Sequence, residues 1–478
     1  MRDFAGELNQ AGVYFQQNNL KSAEKISLSI LEESPDNVEA LNILGGIYAT
    51  KGSPDRAIQY FGQAAELSPD DSRLHFNIGR CHQLRRDLPS AQQAFRSAIE
   101  ADADNLAAWT MLSKIYQSRD NMVECVGACD QILRLAVAGG KNAALRTDAY
   151  IGMGTAEIKL GNFETAIKVL SAAIRENPND PRAHSRLGDT YRGQGQNAKA
   201  VESFLKAASL RSQPVSDWTG AAIAYLRDGN HHNANELLQK CLSVTPGNRR
   251  VLSVYGPLLW EMKRDSEYHV LFDYENLIQA AEFLEPPSGY LTLDAFHQAL
   301  IHEISGHSSL TGERVTKSTT GGFQTGNIFT NPQPAADDLV QIINARISAY
   351  ISDEQNCPGT PGTEWAAEWD LIGWGVILHS QGYQSAHNHP SGMVSGVYYI
   401  KVPEEVHDSG DYPGCIEFGP PNDMYRTRRE PPRHRYLAEE GRMYLFPSHY
   451  WHRTIPFESC QERICIAFDA IPRAKLRG

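Results

Sequence analysis

Residues 387–399 read HNHPSGMVSGVYY, residues 445–452 read LFPSHYWH and residues 463–468 read RICIAF. His387 and His389 stand at i and i+2, which puts both rings on one face of an extended segment because strand side chains alternate. His452 comes from a distant strand, at the end of a Phe-Pro-Ser turn, and could close a one-sided metal site with positions left open. Arg463 lies one hairpin farther on. Its neighbours Ile464, Ile466 and Phe468 are apolar, so the strand should be buried, and a buried arginine needs an anionic partner. A planar guanidinium suits a carboxylate held by two parallel hydrogen bonds. Around these motifs, residues 369–379, 394–402, 414–418, 441–446 and 463–468 are strand-like and separated by Gly and Pro. Residues 293–303 and 335–350 carry helical spacing of apolar side chains. Helices followed by many short strands predict a β-sandwich or barrel with helical buttresses.

The first half of the chain repeats every 34 residues. Ala23, Ala57 and Ala91 keep that interval, as do Gly45 and Gly79, Pro35 and Pro69, then Ala166, Ala200 and Ala234. Small residues fit where two helices of a unit cross, and the prolines stop the second helix because proline cannot continue the hydrogen-bond ladder. Segments such as SPDN and NPND supply turn and N-cap chemistry for the next unit. The pattern resembles the tetratricopeptide repeat, a helix–turn–helix unit of this length. It predicts an all-α solenoid of seven units over residues 1–249, with groove-facing candidates Asn42, Arg80, Lys114, Asp189 and Arg192. Beyond residue 250 the register fails, and residues 250–288 read as a helical cap or linker ending at Pro286-Pro287.

The C-terminal motifs, together with Gly321-Gly322-Phe323-Gln324-Thr325, resemble a family of 2-oxoglutarate/Fe(II) oxygenases related in fold to the prolyl hydroxylases and often found behind tetratricopeptide repeats. The resemblance implies a double-stranded β-helix (jelly roll) for residues 289–478. It also implies an Fe(II) centre, 2-oxoglutarate and O2 as co-substrates, and hydroxylation as the reaction. Such sites normally use two histidines and one carboxylate. Here His387 and His452 match two ligands, and His389 occupies the carboxylate's place. Three readings stay open: His389 as third ligand, His389 in an outer position, or a carboxylate such as Asp408 or Glu417 reaching in. Arg463 matches the anchor for the distal carboxylate of 2-oxoglutarate, Cys465 replaces a hydroxyl donor, and Tyr399 could supply a phenolic one. Gln324 and Thr325 could form a loop at the mouth, while His449 should face outward from its turn.

Composition narrows the partners. A net charge of −12 with no basic cluster argues against nucleic acid. No run approaches the apolar length of a membrane span, no signal peptide is visible, and eight scattered cysteines fit a reducing cytoplasm. A solenoid groove joined to an oxygenase predicts a peptide or protein substrate. The rival expectations are a repeat scaffold with a degenerate oxygenase domain, and a three-histidine dioxygenase that does not use 2-oxoglutarate.

Overall fold

The computed structural model describes residues 4–138, 143–283, 285–312, 318–353, 356, 364–406 and 412–473. The chain divides into two compact units, Met1–Gly193 and Gln194–Gly478. In the first, helices pack in consecutive pairs: α1 (Ala5–Gln16) with α2 (Leu20–Glu33), α3 (Val38–Thr50) with α4 (Pro54–Leu67), and α5 (Ser72–Leu84) with α6 (Leu88–Ala101). Then come α7 (Leu106–Ser118) with α8 (Met122–Ala138) and α9 (Ala143–Lys159) with α10 (Phe163–Glu176), and α11 (Pro181–Gly193) ends the unit. Asn19, Asn37, Asp87 and Asn105 each cap a helix by accepting a hydrogen bond from the backbone N–H three residues on, which satisfies a donor that the helix itself leaves free. The repeat's glycine has a steric cause, since a Cβ on Gly45 would stand 2.6 Å from the Phe61 ring.

A groove of about 850 Å³ in this unit is lined by Asn9, Asn42, Asn77, Arg80, Phe15 and Leu84, among others. Two of the groove candidates, Asn42 and Arg80, are therefore in place. Lys114 is exposed on α7, and Asp189 pairs with Arg186 and Arg192 at 3.0 and 2.8 Å.

The second unit begins with α12 (Asn197–Ser209), α13 (Val215–Arg227) and α14 (His231–Val244), so the compact division falls earlier than residue 249. The reason is a shared core. Leu226, Leu238, Leu252, Tyr255, Leu258 and Phe272 bury against the same cluster as Tyr399, Phe418, Phe446 and Trp451. Nor does the repeat geometry stop at residue 250. Helices α15 (Arg249–Glu261) and α16 (Asp265–Leu271) pack together, with Gly256 against Phe272 at the same interval as Gly45 and Phe61. The expected linker is thus a further helix pair. It continues through α17 (Tyr274–Leu277) into a strand, β1 (Gln279–Glu282), where helix was expected.

Two antiparallel sheets make up the remainder, consistent with a jelly roll. The larger has the order β1-β7-β4-β9-β3-β2, built from β2 (Thr319–Gln324), β3 (Trp369–Gln384), β4 (Val394–Lys401), β7 (Arg442–Pro447) and β9 (Arg463–Pro472) besides β1. The smaller has the order β6-β5-β8, from β5 (Ile416–Phe418), β6 (His434–Tyr436) and β8 (His452–Thr454). Alternation splits the large sheet's side chains. Tyr398, Ile400, Ile464, Ile466 and Phe468 pack behind it on α18 (Leu293–Ser305) and α19 (Pro334–Ser352), while Val397, Tyr399, Tyr444 and Cys465 face the small sheet. Gly321-Gly322 belongs to β2 rather than to a loop. Among the described residues no helix is long and apolar enough to cross a membrane.

Gly256 tests the helix pair against helix propensity. Alanine is ordinarily favoured over glycine in a helix by about 1 kcal/mol. A Cβ here would stand 2.1 Å from the Phe272 ring, which cannot move away because it stacks on Tyr268 and Tyr450 at 5.2 Å each. Gly256→Ala should therefore destabilise by about 1–3 kcal/mol, as overpacking does, and lower the thermal unfolding midpoint followed by circular dichroism.

Candidate active site

His387 and His452 face each other across an isolated antiparallel bridge in which each backbone N–H donates to the other's carbonyl at 3.0 Å. Residues paired in this way project their side chains to the same side, so the two ring centroids come within 4.4 Å. His389, two residues on, shares that face. Its N–H donates to the Ser448 carbonyl at 2.8 Å, and its ring lies 5.0 Å from His387 and 5.2 Å from His452. One ligand atom from each of the three histidines falls within 4.8 Å of the others.

The outer ring nitrogens are all engaged. Nδ1 of His387 meets the Ser385 carbonyl at 2.7 Å, Nδ1 of His452 the Tyr450 carbonyl at 3.0 Å, and Nδ1 of His389 the Asp469 carboxylate at 3.0 Å. An acceptor at Nδ1 requires the proton there, which in a neutral ring leaves a lone pair on Nε2. Burial, reinforced by the neighbouring His389, lowers His387 to about 3, and burial with both neighbours holds His452 well below the usual imidazole range. These two rings are neutral at neutral pH, as metal ligands must be. Three convergent ring nitrogens with their outer sides tied down could hold a divalent metal ion on one side.

A guanidinium shares the space. Arg463, His387, His389, His452, Tyr399 and Cys465 line one cavity between the sheets. Arg463 is 1% exposed. It donates to the Cys465 sulfur at 3.7 Å and lies 4.8 Å from the Tyr399 ring centroid, and no carboxylate pairs with it among the described residues. Its Nε and the Tyr399 hydroxyl are buried without a hydrogen-bond partner. Burial also raises the Tyr399 phenol, so its proton stays available for donation. An unpaired buried cation beside an unused phenolic donor fits a bound carboxylate.

Other expected residues sit elsewhere. Gln324 accepts from the Thr319 hydroxyl at 3.1 Å and does not line the cavity; Gln384, which does, donates to that same hydroxyl at 3.3 Å. Thr325 is spent on fastening the end of β2, taking a bond from the Gly375 N–H at 2.9 Å. Glu417 alternates away from the histidines and is clamped by Arg433, Arg435 and Arg453, while Asp408 lies outside the described residues. His449, expected to face outward, is 3% exposed and packs edge-on against Phe272 at 5.4 Å, because the shared helical core covers the turn that carries it. Sequence reasoning missed Asp469 and Trp374, whose ring stacks on His389 at 5.4 Å. A signal for Asp469 was present, since Arg463, Cys465, Ala467 and Asp469 occupy alternate positions of one strand and so share a face.

Comparisons with known proteins agree with both halves. Residues 373–469 match the family described as "Putative 2OG-Fe(II) oxygenase", and residues 8–72, 48–115 and 151–216 match tetratricopeptide repeats. The chain therefore joins tetratricopeptide repeats to a C-terminal region, residues 373–469, that matches the "Putative 2OG-Fe(II) oxygenase" family. It is 24% identical over 317 residues to Superkiller complex protein 3 of Mus musculus, covering 58% of this chain and 20% of that protein. It is 24% identical over 212 residues to Lipopolysaccharide assembly protein B of Escherichia coli K12, covering 43% and 54%. The chain thus spans about a fifth and about half of these relatives' own lengths. Among solved structures, the TPR protein YrrB is 22% identical, with 40% of this chain and 95% of that one covered at a TM-score of 0.34. A repeat-containing protein from Cytophaga hutchinsonii is 13% identical, with 51% and 97% covered at 0.43.

If the three nitrogens share one ion, removing one should be costly. Four ligands of a structural zinc site share about 10–16 kcal/mol, so His387→Ala or His452→Ala should weaken binding by roughly a hundredfold or more. His389→Asp, which restores the commoner two-histidine, one-carboxylate set, should keep the metal. Anaerobic titration with Fe(II) or Co(II) reads all three.

Proposed function

We propose that this protein is an Fe(II)- and 2-oxoglutarate-dependent dioxygenase that hydroxylates a side chain of a peptide or protein held by its repeats. The observation that carries the reading is the buried, unpaired Arg463 in the same cavity as the three histidines. A ferrous ion with bound 2-oxoglutarate couples oxidative decarboxylation of the 2-oxo acid by O2 to insertion of one oxygen atom into a C–H bond, leaving succinate and CO2.

The chain's own residues do the rest. His387, His389 and His452 would hold the metal from one side and leave the other side open. Arg463 would take the distal carboxylate of 2-oxoglutarate in its fork, with the Tyr399 hydroxyl as a second donor. Cys465 and Ala467 occupy the intervening positions of that face of β9, and their short side chains leave room between the anchor and the histidines. The core around Phe418 and Phe446 keeps water from the enclosed end of the site. A three-histidine dioxygenase without 2-oxoglutarate would have no use for a buried guanidinium, which speaks against that alternative.

The co-substrate is tested first. Anaerobic addition of 2-oxoglutarate to the Fe(II) protein should produce a visible charge-transfer band. Arg463→Ala should raise the concentration needed by one to two or more orders of magnitude, since losing one partner of a buried charged pair costs about 2–5 kcal/mol. Arg463→Lys should rescue only in part, because the fork is gone. A band with unchanged affinity in both variants would move the anchor elsewhere.

Tetratricopeptide repeats bind peptide and protein partners, and the groove of the first unit offers amides and one guanidinium to a polypeptide backbone. A hydrogen bond contributes about 0.5–1.5 kcal/mol. Asn42→Ala and Arg80→Ala should therefore each raise KM for a polypeptide substrate by up to about tenfold. Substrate-independent turnover of 2-oxoglutarate to succinate should stay at the parent rate. The substrate itself is recognised by mass spectrometry as the polypeptide that gains one oxygen; equal KM for parent and both variants would remove the groove from substrate capture.

A further inference from the structure

The negative charge that a two-histidine, one-carboxylate site keeps beside its metal is present here one ring farther out. Asp469 is buried, at 4% exposure, on the face of β9 that lines the cavity. One carboxylate oxygen accepts from the Ser395 hydroxyl at 2.5 Å and the other meets Nδ1 of His389 at 3.0 Å. Among the described residues no lysine or arginine pairs with it. Arg463 cannot do so, because six residues of strand separate them by roughly 20 Å. A buried carboxylate whose partners are a hydroxyl and an imidazole is costly unless a cation lies close by. The direction left for that cation is through the imidazole, on its Nε2 side. Trp374, stacked on the His389 ring with 25° between the planes, holds the ring in the orientation that makes this line.

We propose that Asp469 is a positioning residue for the metal centre: fixed by Ser395, it orients His389 and supplies through that ring the negative charge that a directly bound carboxylate would provide. The inference rests on the metal-binding reading of the three histidines. Imidazole with a carboxylate behind it is a stronger electron donor than imidazole alone, and such partners commonly change metal affinity 10–100-fold. In Asp469→Asn the charge is gone, and the amide NH2 can donate to Nδ1. His389 would then be pushed toward the tautomer that carries its proton on Nε2, where the metal would bind. Put Asp in place of His389, and the relation reverses. Asp469 then has no ring to act through and stands near a carboxylate of like charge.

The experiment is a double-mutant cycle read by anaerobic Co(II) titration of the full-length protein, with no turnover involved. Asp469→Asn should weaken Co(II) binding 10–100-fold in the parent, and by no more than about threefold in His389→Asp. Parental affinity in D469N overturns the proposal, as does an equal loss in both backgrounds, which would make Asp469 a general support of the fold or of the local field. Failure of the parent to bind Co(II) overturns the metal reading itself, a separate outcome visible before any variant is made. Should D469N not fold, judged by far-UV circular dichroism, Ser395→Ala carries the test. That variant keeps the charge and frees the carboxylate, so Co(II) should bind several-fold more weakly in the parent background and unchanged in His389→Asp; any other pattern overturns the proposal.

Discussion

Two backbone hydrogen bonds between His387 and His452 are the constraint on which the site depends. They join the segment leading into β4 to the edge of the small sheet, and so link the sheets at the point where the rings meet. Nothing in an imidazole's own preferences would bring three of them together in an apolar interior. Each is instead delivered by backbone geometry: one by the bridge, one by strand alternation two residues on, one by the turn that closes at His452. The Gly392 N–H donates to the His389 carbonyl at 3.0 Å and the Tyr450 N–H to the Pro447 carbonyl at 3.0 Å, so both segments turn sharply beside the cluster. The rings are then oriented from behind through Nδ1, and only Nε2 remains for chemistry.

That division explains what was legible in the residues and what was not. Local periodicity exposed the repeats, helices α18 and α19, and five runs of strand, because each rests on spacing within its own segment. The histidine pair and Arg463 stood out for the same reason. Strand β1 did not, since Gln279-Ala280-Ala281-Glu282 has no strand pattern of its own and is ordered by pairing with β7. Residues 250–288 read as helical, but the kinship of α15 and α16 with the repeats did not show, because Tyr268 stands where earlier units have alanine, and only the contact between Gly256 and Phe272 reveals it. The segment from Gly321 to Thr325 read as a loop at the mouth of the site, yet a Cβ on Gly322 would stand 2.2 Å from the Ile377 carbonyl oxygen, so glycine is there to let two strands approach. His449 and Asp469 were misjudged or missed because their roles depend on partners distant in sequence: Phe272 for one, His389 for the other.

The helical layer bears directly on the strand that carries His452. Trp451, the residue before His452, donates its indole N–H to the Ser253 carbonyl of α15 at 2.8 Å. Its neighbours His449 and Tyr450 pack on Phe272. Elsewhere on the same layer, Arg429 stacks on Trp260 at 3.5 Å and pairs with Asp265, while Glu261 accepts from the backbone N–H groups of Arg428 and Arg429. The Ser253 carbonyl would accept from the N–H four residues on, but residue 257 is proline and has none, so the Trp451 indole satisfies the acceptor that Pro257 leaves free and ties α15 to the turn. The last repeats are therefore part of the wall that holds His452 rather than a separate module behind a tether.

Two buried charges of opposite sign, Arg463 and Asp469, lie on one face of β9 and are too far apart along the strand to neutralise each other. Evolving a tight core would ordinarily eliminate both, because each one desolvated without an ionic partner costs several kcal/mol. Asp469 is met by the Ser395 hydroxyl and the His389 ring, while Arg463 has the Cys465 sulfur and the Tyr399 ring beside it. An anion beside Arg463 and a cation on the histidine side would complement the two charges, which is the order that the proposed co-substrate and metal would supply. The strand thus sets a polarity along the cavity, positive at Arg463 and negative at Asp469, which constrains the chemistry of the site more than the identity of any single residue in it.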